Sequence, residues 1–149
     1  MNENNAPVNI CNNPSATEAK SFIARYHQKN PEKTMLQLLG TCTVDYQGRA
    51  KSFLDWGDRL IIIKQDGNLI VHQPVLREPI NWQPAGSIND FKVKNDFFIL
   101  KSRHRKPPEK MKILFKNIYT VIISSLKDEA QLRIAGMEAD VVQQIIDDP

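Results

Sequence analysis

The 149-residue chain is 41% hydrophobic and 25% charged, the balance of a soluble globular protein with its own core, which excludes wholesale disorder. Its apolar runs, such as residues 60–63 and 121–123, are too short to span a bilayer, and residues 1–5 lack the basic and apolar regions of a secretion signal. One main cytoplasmic domain is therefore expected, with Cys11 and Cys42 as reduced thiols and no membrane partner.

The net charge of +3 is an average that hides its distribution. Lys101, Arg103, Arg105, Lys106, Lys110, Lys112 and Lys116 face a single acid, Glu109, in their stretch, whereas residues 127–149 are acid-rich. That polarity points to an anionic partner on one side.

In chain order, residues 1–14 are Asn- and Pro-rich, carry no clear period, and read as a flexible tail. Ser15 or Thr17 can cap a helix over 17–29, with Ala19, Phe22, Ile23 and Tyr26 on one face. From Met35 the texture turns to short strands, at 35–46, 59–64, 68–73, 96–103, 110–116 and 118–126, with a further candidate at 130–135. Asp66-Gly67 lies between two apolar runs, so a tight hairpin is the natural connection there. Pro74, Pro79 and Pro84 punctuate residues 73–87 and bar them from the centre of a sheet. After Gly136, the spacing of Met137, Val141 and Ile145 predicts a final helix. The fold class is thus mainly β, a small barrel or half-open sheet over 15–135, with an N-terminal helix and a C-terminal helix beginning at 136.

Catalytic chemistry finds little foothold. A metal-dependent nuclease of the restriction type needs an Asp followed by a strand-borne Glu-x-Lys. Glu18-Ala19-Lys20, the one Glu-x-Lys of the chain, falls in the predicted helix with no Asp before it, and reads as a helical charge pair. His27, His72 and His104 lack ligand spacing, and no phosphate-binding glycine loop or nucleophile elbow occurs. No catalytic residue, metal or cofactor is assigned, and binding is the default class.

Nucleotides removed from a duplex are held by aromatic stacking and by guanidinium contacts to phosphate. Trp82, between Asn81 and Gln83 in the proline-punctuated segment, and nearby Arg77 fit that pair. The competing readings are a core or dimer-contact tryptophan and an arginine paired with an acid. Arg49 projects from a glycine-permitted turn, either toward a ligand or simply into solvent. Arg103-His104-Arg105-Lys106, ahead of two prolines, reads as a solvated hairpin tip or as a phosphate track.

Taken together, Tyr46-Gln-Gly-Arg-Ala50, Gly57-Asp-Arg-Leu60, Ile63-Lys-Gln-Asp-Gly67, Val71-His-Gln73 and Arg77-Glu-Pro-Ile-Asn-Trp-Gln-Pro-Ala-Gly-Ser87 resemble the NucS/EndoMS family of DNA endonucleases. The resemblance runs from about Met35 through Gly136-Met-Glu-Ala-Asp140 to Pro149, which looks like that family's linker. It implies a half-open β-barrel that binds DNA and dimerises, with cleavage of branched or mismatched DNA carried out by a separate RecB-like domain. Its nuclease motif and clamp-binding tail are not found in these residues. By position, Trp82 looks like the base-stacking tryptophan, Asn81 like its base-contacting neighbour, Arg49 and Arg77 like DNA-binding arginines, and Leu54 like a wedge against an extruded base. The implied partner is single-stranded, branched or mismatched DNA, bound by a homodimer. The alternative is a protein-interaction module with no DNA role of its own.

Overall fold

The structure, a computed structural model, describes residues 7–133. Its framework is a pair of long strands, β2 (Met35–Gln47) and β8 (Glu109–Ser124). In β2 the side chains of Leu36, Leu38, Cys42 and Val44 are all fully buried, the period-two pattern that turns one face of a strand to a core. Met111, Ile113, Phe115, Val121 and Ile123 do the same for β8.

β8 is one strand where the sequence predicts two. The pairing of β2 with β8 slips between Leu39 and Gly40 and again between Thr41 and Cys42, leaving an extra β8 residue at each slip. Such bulges bend a strand and increase its twist without ending it. Gly40 permits the bend, because a Cβ there would stand 2.3 Å from the Asn117 carbonyl oxygen. The polar Lys116-Asn117 step that reads as a break is therefore the bend itself.

Around this pair the strands β3 (Lys51–Ile63), β4 (Leu69–His72), β5 (Asn81–Gln83), β6 (Ile88–Lys94) and β7 (Phe97–His104) complete a sheet in the order β5-β4-β3-β2-β8-β7-β6. Every pairing is antiparallel. The sheet curls into a half-open barrel around the buried cluster. At the expected hairpin, Gly67 takes φ +91°. The backbone N–H of Lys64 donates to Asn68 O at 2.8 Å.

Over residues 8–12 a strand stands where the sequence reads as a flexible tail, while residues 1–6 of that reading lie outside the described residues. β1 (Val8–Asn12) pairs antiparallel with the far half of β8, from Val8 opposite Ser124 to Asn12 opposite Thr120. β7 pairs only with the near half of β8, up to Phe115, so the remaining edge offers open backbone groups that β1 satisfies. Val8 and Ile10 stay 44% and 58% exposed, which explains why no buried face announces this strand. β3 starts eight residues earlier than expected, at Lys51 rather than 59, and β6 was not expected at all. Residues 130–133 form no strand; the rest of that candidate and the final helix lie outside the described residues.

The helix α1 (Ala16–Tyr26) is capped by Ser15, whose hydroxyl accepts from Glu18 N while Glu18 accepts from Ser15 N. Glu18 is thus half of a capping box, worth about 1 kcal/mol. Ala19 and Ile23 are fully buried, seating α1 against β1, β6, β7 and β8. The helix ends at Tyr26, short of 29, with His27 as its C-cap.

His27 is 2% exposed. Its Nδ1 lies 2.7 Å from the Thr34 hydroxyl, and its ring meets Phe91 edge-on. Burial lowers its pKa to about 4. The unfolded chain therefore takes up a proton that the folded chain refuses as pH falls below about 6.5. Stability should fall by about 2–3 kcal/mol between pH 6.5 and 4 for this group alone. Urea melts across that range should show a smaller fall in His27→Gln.

Candidate functional site

β5 is a three-residue edge strand, and its alternation sorts the side chains. Gln83 turns inward and is fully buried, while Trp82 turns outward and is 59% exposed. Gln83 Nε2 reaches the carbonyls of Ser102 and Glu109, each at 3.5 Å, so the inward residue ties β5 across the barrel opening to β7 and β8. Asn81 Oδ1 accepts from Trp82 N at 3.0 Å, and Ile80 N donates to Val71 O at 2.9 Å. The indole is thus displayed on anchored backbone. Its exposure rules out the core-tryptophan reading within this chain.

Trp82 and Asn81 line an open groove of about 580 Å³ together with Tyr46, Arg49, Pro84, His104, Lys106, Pro107 and Glu109. The groove brings together the end of β2, the β2–β3 turn, β5 and the β7–β8 hairpin tip. Three of the five predicted site residues, Arg49, Asn81 and Trp82, meet there. Arg77 does not line it. That arginine stands on the β4–β5 loop and pairs with the adjacent Glu78 at 3.1 Å, both side chains being mostly exposed. Leu54 does not line it either: half-buried, opposite Val44, it packs against the core cluster.

Tyr46, His104 and Lys106 enter the site from sequence-distant elements. His104 and Lys106 come from the basic tip that reads in the sequence as solvated surface or phosphate track, and Tyr46 is not a site candidate there. The Tyr46 hydroxyl donates to Glu109 Oε1, which raises the phenol's pKa above its usual value and engages the one carboxylate that lines the groove among the described residues. His104 Nδ1 lies 3.0 Å from Pro107 O. Since a carbonyl only accepts, Nδ1 carries the proton and Nε2 is left for a ligand. A flat aromatic face beside a guanidinium, an ammonium and an imidazole suits a planar, anionic ligand.

Among the described residues, no three His, Cys, Asp or Glu side chains gather as a metal-binding set. No described helix is long and apolar enough to cross a membrane.

The family model of the endonuclease NucS N-terminal PH-like domain matches residues 32–131. Endonuclease NucS of Methanocaldococcus jannaschii is 40% identical over 137 residues, covering 92% of this chain and 51% of the relative. That of Thermococcus kodakarensis is 36% identical over 142 residues, covering 95% and 55%. Among solved structures, the complex of EndoMS with dsDNA2 superposes with a TM-score of 0.80 at 35% identity, covering 97% of this chain and 59% of that one. A repair endonuclease from Pyrococcus abyssi gives 0.71 at 33% identity, covering 95% and 57%. The chain spans about half the length of the curated relatives it matches.

The turn that carries Arg49 depends on Gly48, where a Cβ would lie 2.2 Å from the Tyr46 hydroxyl. Gly48→Ala should push Tyr46 from Glu109 and lower stability by about 1–2 kcal/mol. Lys51→Ala, on the exposed start of β3, should change it by less than about 0.5 kcal/mol. Chemical denaturation of the two variants checks the contrast.

Proposed function

The chain belongs to the endonuclease NucS N-terminal domain family, and from that membership we propose that it is the cytoplasmic DNA-binding and dimerisation module of a mismatch- or branch-specific DNA endonuclease. The observation that carries the reading is the exposed indole of Trp82, held on anchored backbone in a groove with Arg49, His104 and Lys106. In this role the module does not cut DNA. It holds a single-stranded or flipped-out base by stacking it on Trp82, with Asn81 reaching the base edge and Arg49 the phosphate.

Arg77 serves the same DNA from outside the groove. Its ion pair with Glu78 is solvent-exposed and therefore weak, so a phosphate can displace the carboxylate. The wedge role that the resemblance gives Leu54 belongs to the same proposal; the side chain is half-buried opposite Val44 and packs against the core. A DNA complex among the structural neighbours supports the partner class.

Self-association is supported by the β4–β5 loop. Val75 and Leu76 are 64% and 80% exposed there, and Leu76 is held at φ +73°, a backbone region unfavourable for a bulky side chain. The same observation favours the second reading, a protein-interaction module without DNA contact.

Fluorescence anisotropy with labelled single-stranded and mismatched duplex DNA, at two salt concentrations, tests the proposal. Wild type should bind in a salt-dependent manner. Trp82→Ala should bind about 5- to 100-fold more weakly, the loss of one stacked base, with an unchanged melting curve. Full-strength binding by that variant would sink the stacking role. Absence of binding by wild type, with salt-insensitive self-association, would move the assignment to the second reading. Sedimentation equilibrium should give twice the 17.1 kDa chain mass.

A further inference from the structure

The outer face of the β6-β7-β8 sheet carries a charge pattern that the groove does not use. Lys92, Lys94, Lys101, Arg103, Lys110 and Lys112 are all exposed and alternate in sequence with buried or half-buried residues such as Phe91, Leu100, Ser102 and Met111. Period-two alternation puts them on one side of the sheet. Register then stacks like on like: Lys101 lies opposite Lys112, and Arg103 opposite Lys110. Like charges in cross-strand positions repel.

Lys101 shows the consequence. The ammonium groups of Lys92, Lys112 and Lys94 crowd it and hold its pKa below the usual lysine value. Among the described residues two carboxylates share the face: Asp90, opposite Lys101 in register, pairs with Arg103 at 3.0 Å, and Asp45 stands opposite Lys112. Stability alone would favour alternating signs, so a patch that keeps cations crowded is arranged for an anion from outside.

Continuity identifies that anion. A cleft of about 360 Å³ on this face is lined by Lys101, Arg103, Lys110 and Lys112. It shares Arg103 and Lys110 with a neighbouring cleft of about 760 Å³. That second cleft shares His104 and Glu109 with the Trp82 groove. The three form one path from the indole, around the β7–β8 hairpin, onto the outer face.

We propose that the outer face of β6-β7-β8 is a second phosphate-binding surface, along which the backbone of DNA leaving the Trp82 groove passes Arg103 and Lys110 to reach Lys101, Lys112 and Lys92. Same-side residues recur at roughly 6.6–6.8 Å along a strand, and strands are about 4.8 Å apart, so the cations form a grid that meets successive phosphates. The inference rests on the DNA reading of the groove and extends it from one base to a length of strand.

The test compares wild type with Lys92→Gln/Lys101→Gln/Lys112→Gln and with the corresponding triple Arg variant. Two ligands are titrated: a short single-stranded oligonucleotide that fills the groove alone, and a duplex carrying a single-stranded overhang. The Gln variant should bind the short oligonucleotide as wild type does. It should lose roughly tenfold affinity for the long substrate at low salt, and its slope of log K against log salt should become shallower by about 2–3. The Arg variant should restore both. The thermal midpoint of the Gln variant should be unchanged or raised, since repulsion has been removed. An unchanged slope and affinity for the long substrate overturns the outer-face proposal while leaving the groove reading intact. So does a face that binds polyglutamate as tightly as DNA, which would assign it to an acidic protein partner. Failure of wild type to bind either DNA would instead overturn the groove reading beneath it.

Discussion

The bend in the β2–β8 pair is the constraint from which the rest of the molecule follows. Two strands of 13 and 16 residues, paired straight, would make a flat ladder with nothing to enclose. The two register slips opposite Gly40 and Thr41, made possible by backbone approaching where a Cβ would collide, turn the ladder on itself. Once curled, the inner faces of β2, β3, β7 and β8 share one core. The far end of β8 is left without β7 and takes β1 instead.

The groove is a product of that curl. β5 and β6 lie at opposite ends of the strand order and are not paired with each other. Curvature brings β5 over β7 and the start of β8, where Gln83 spans the gap. A buried residue on a three-residue strand orients its exposed neighbour, so the anchoring of Gln83 and the display of Trp82 are two sides of one geometry. Tyr46 and Glu109 clasp the ends of β2 and β8 at the same place. The cations of the groove continue onto the outer face because the β7–β8 hairpin carries basic residues on both its tip and its outward positions.

What could be read from the sequence follows from which interactions are local. The capping Ser15, the Gly67 turn and the alternation of β2 are short-range signals, and each has its expected consequence here. β1 escaped detection because its partner lies more than a hundred residues away and its own apolar residues stay exposed. The first half of β3, with Lys51, Ser52, Asp55 and Asp58, lacks alternation and is held by pairing with β2. β8 read as two strands because a bulge at a polar step looks like a turn. At the site, Trp82, Asn81 and Arg49 were visible through the family resemblance, and the fold brings them together. Tyr46 was not, and His104 and Lys106 read only as part of a basic tip or phosphate track, since only curvature places the ends of β2, β7 and β8 beside β5.

The central claim, that a nucleobase stacks on Trp82, has a direct optical test. The chain has two tryptophans, and Trp56 sits against Phe97 and Lys116, away from the residues lining the groove. In a Trp56→Phe background the remaining indole reports on the groove alone. Titration with a short single-stranded oligonucleotide should quench that emission saturably, in step with binding followed by anisotropy. Binding that saturates while the emission of Trp82 stays unchanged would contradict the account.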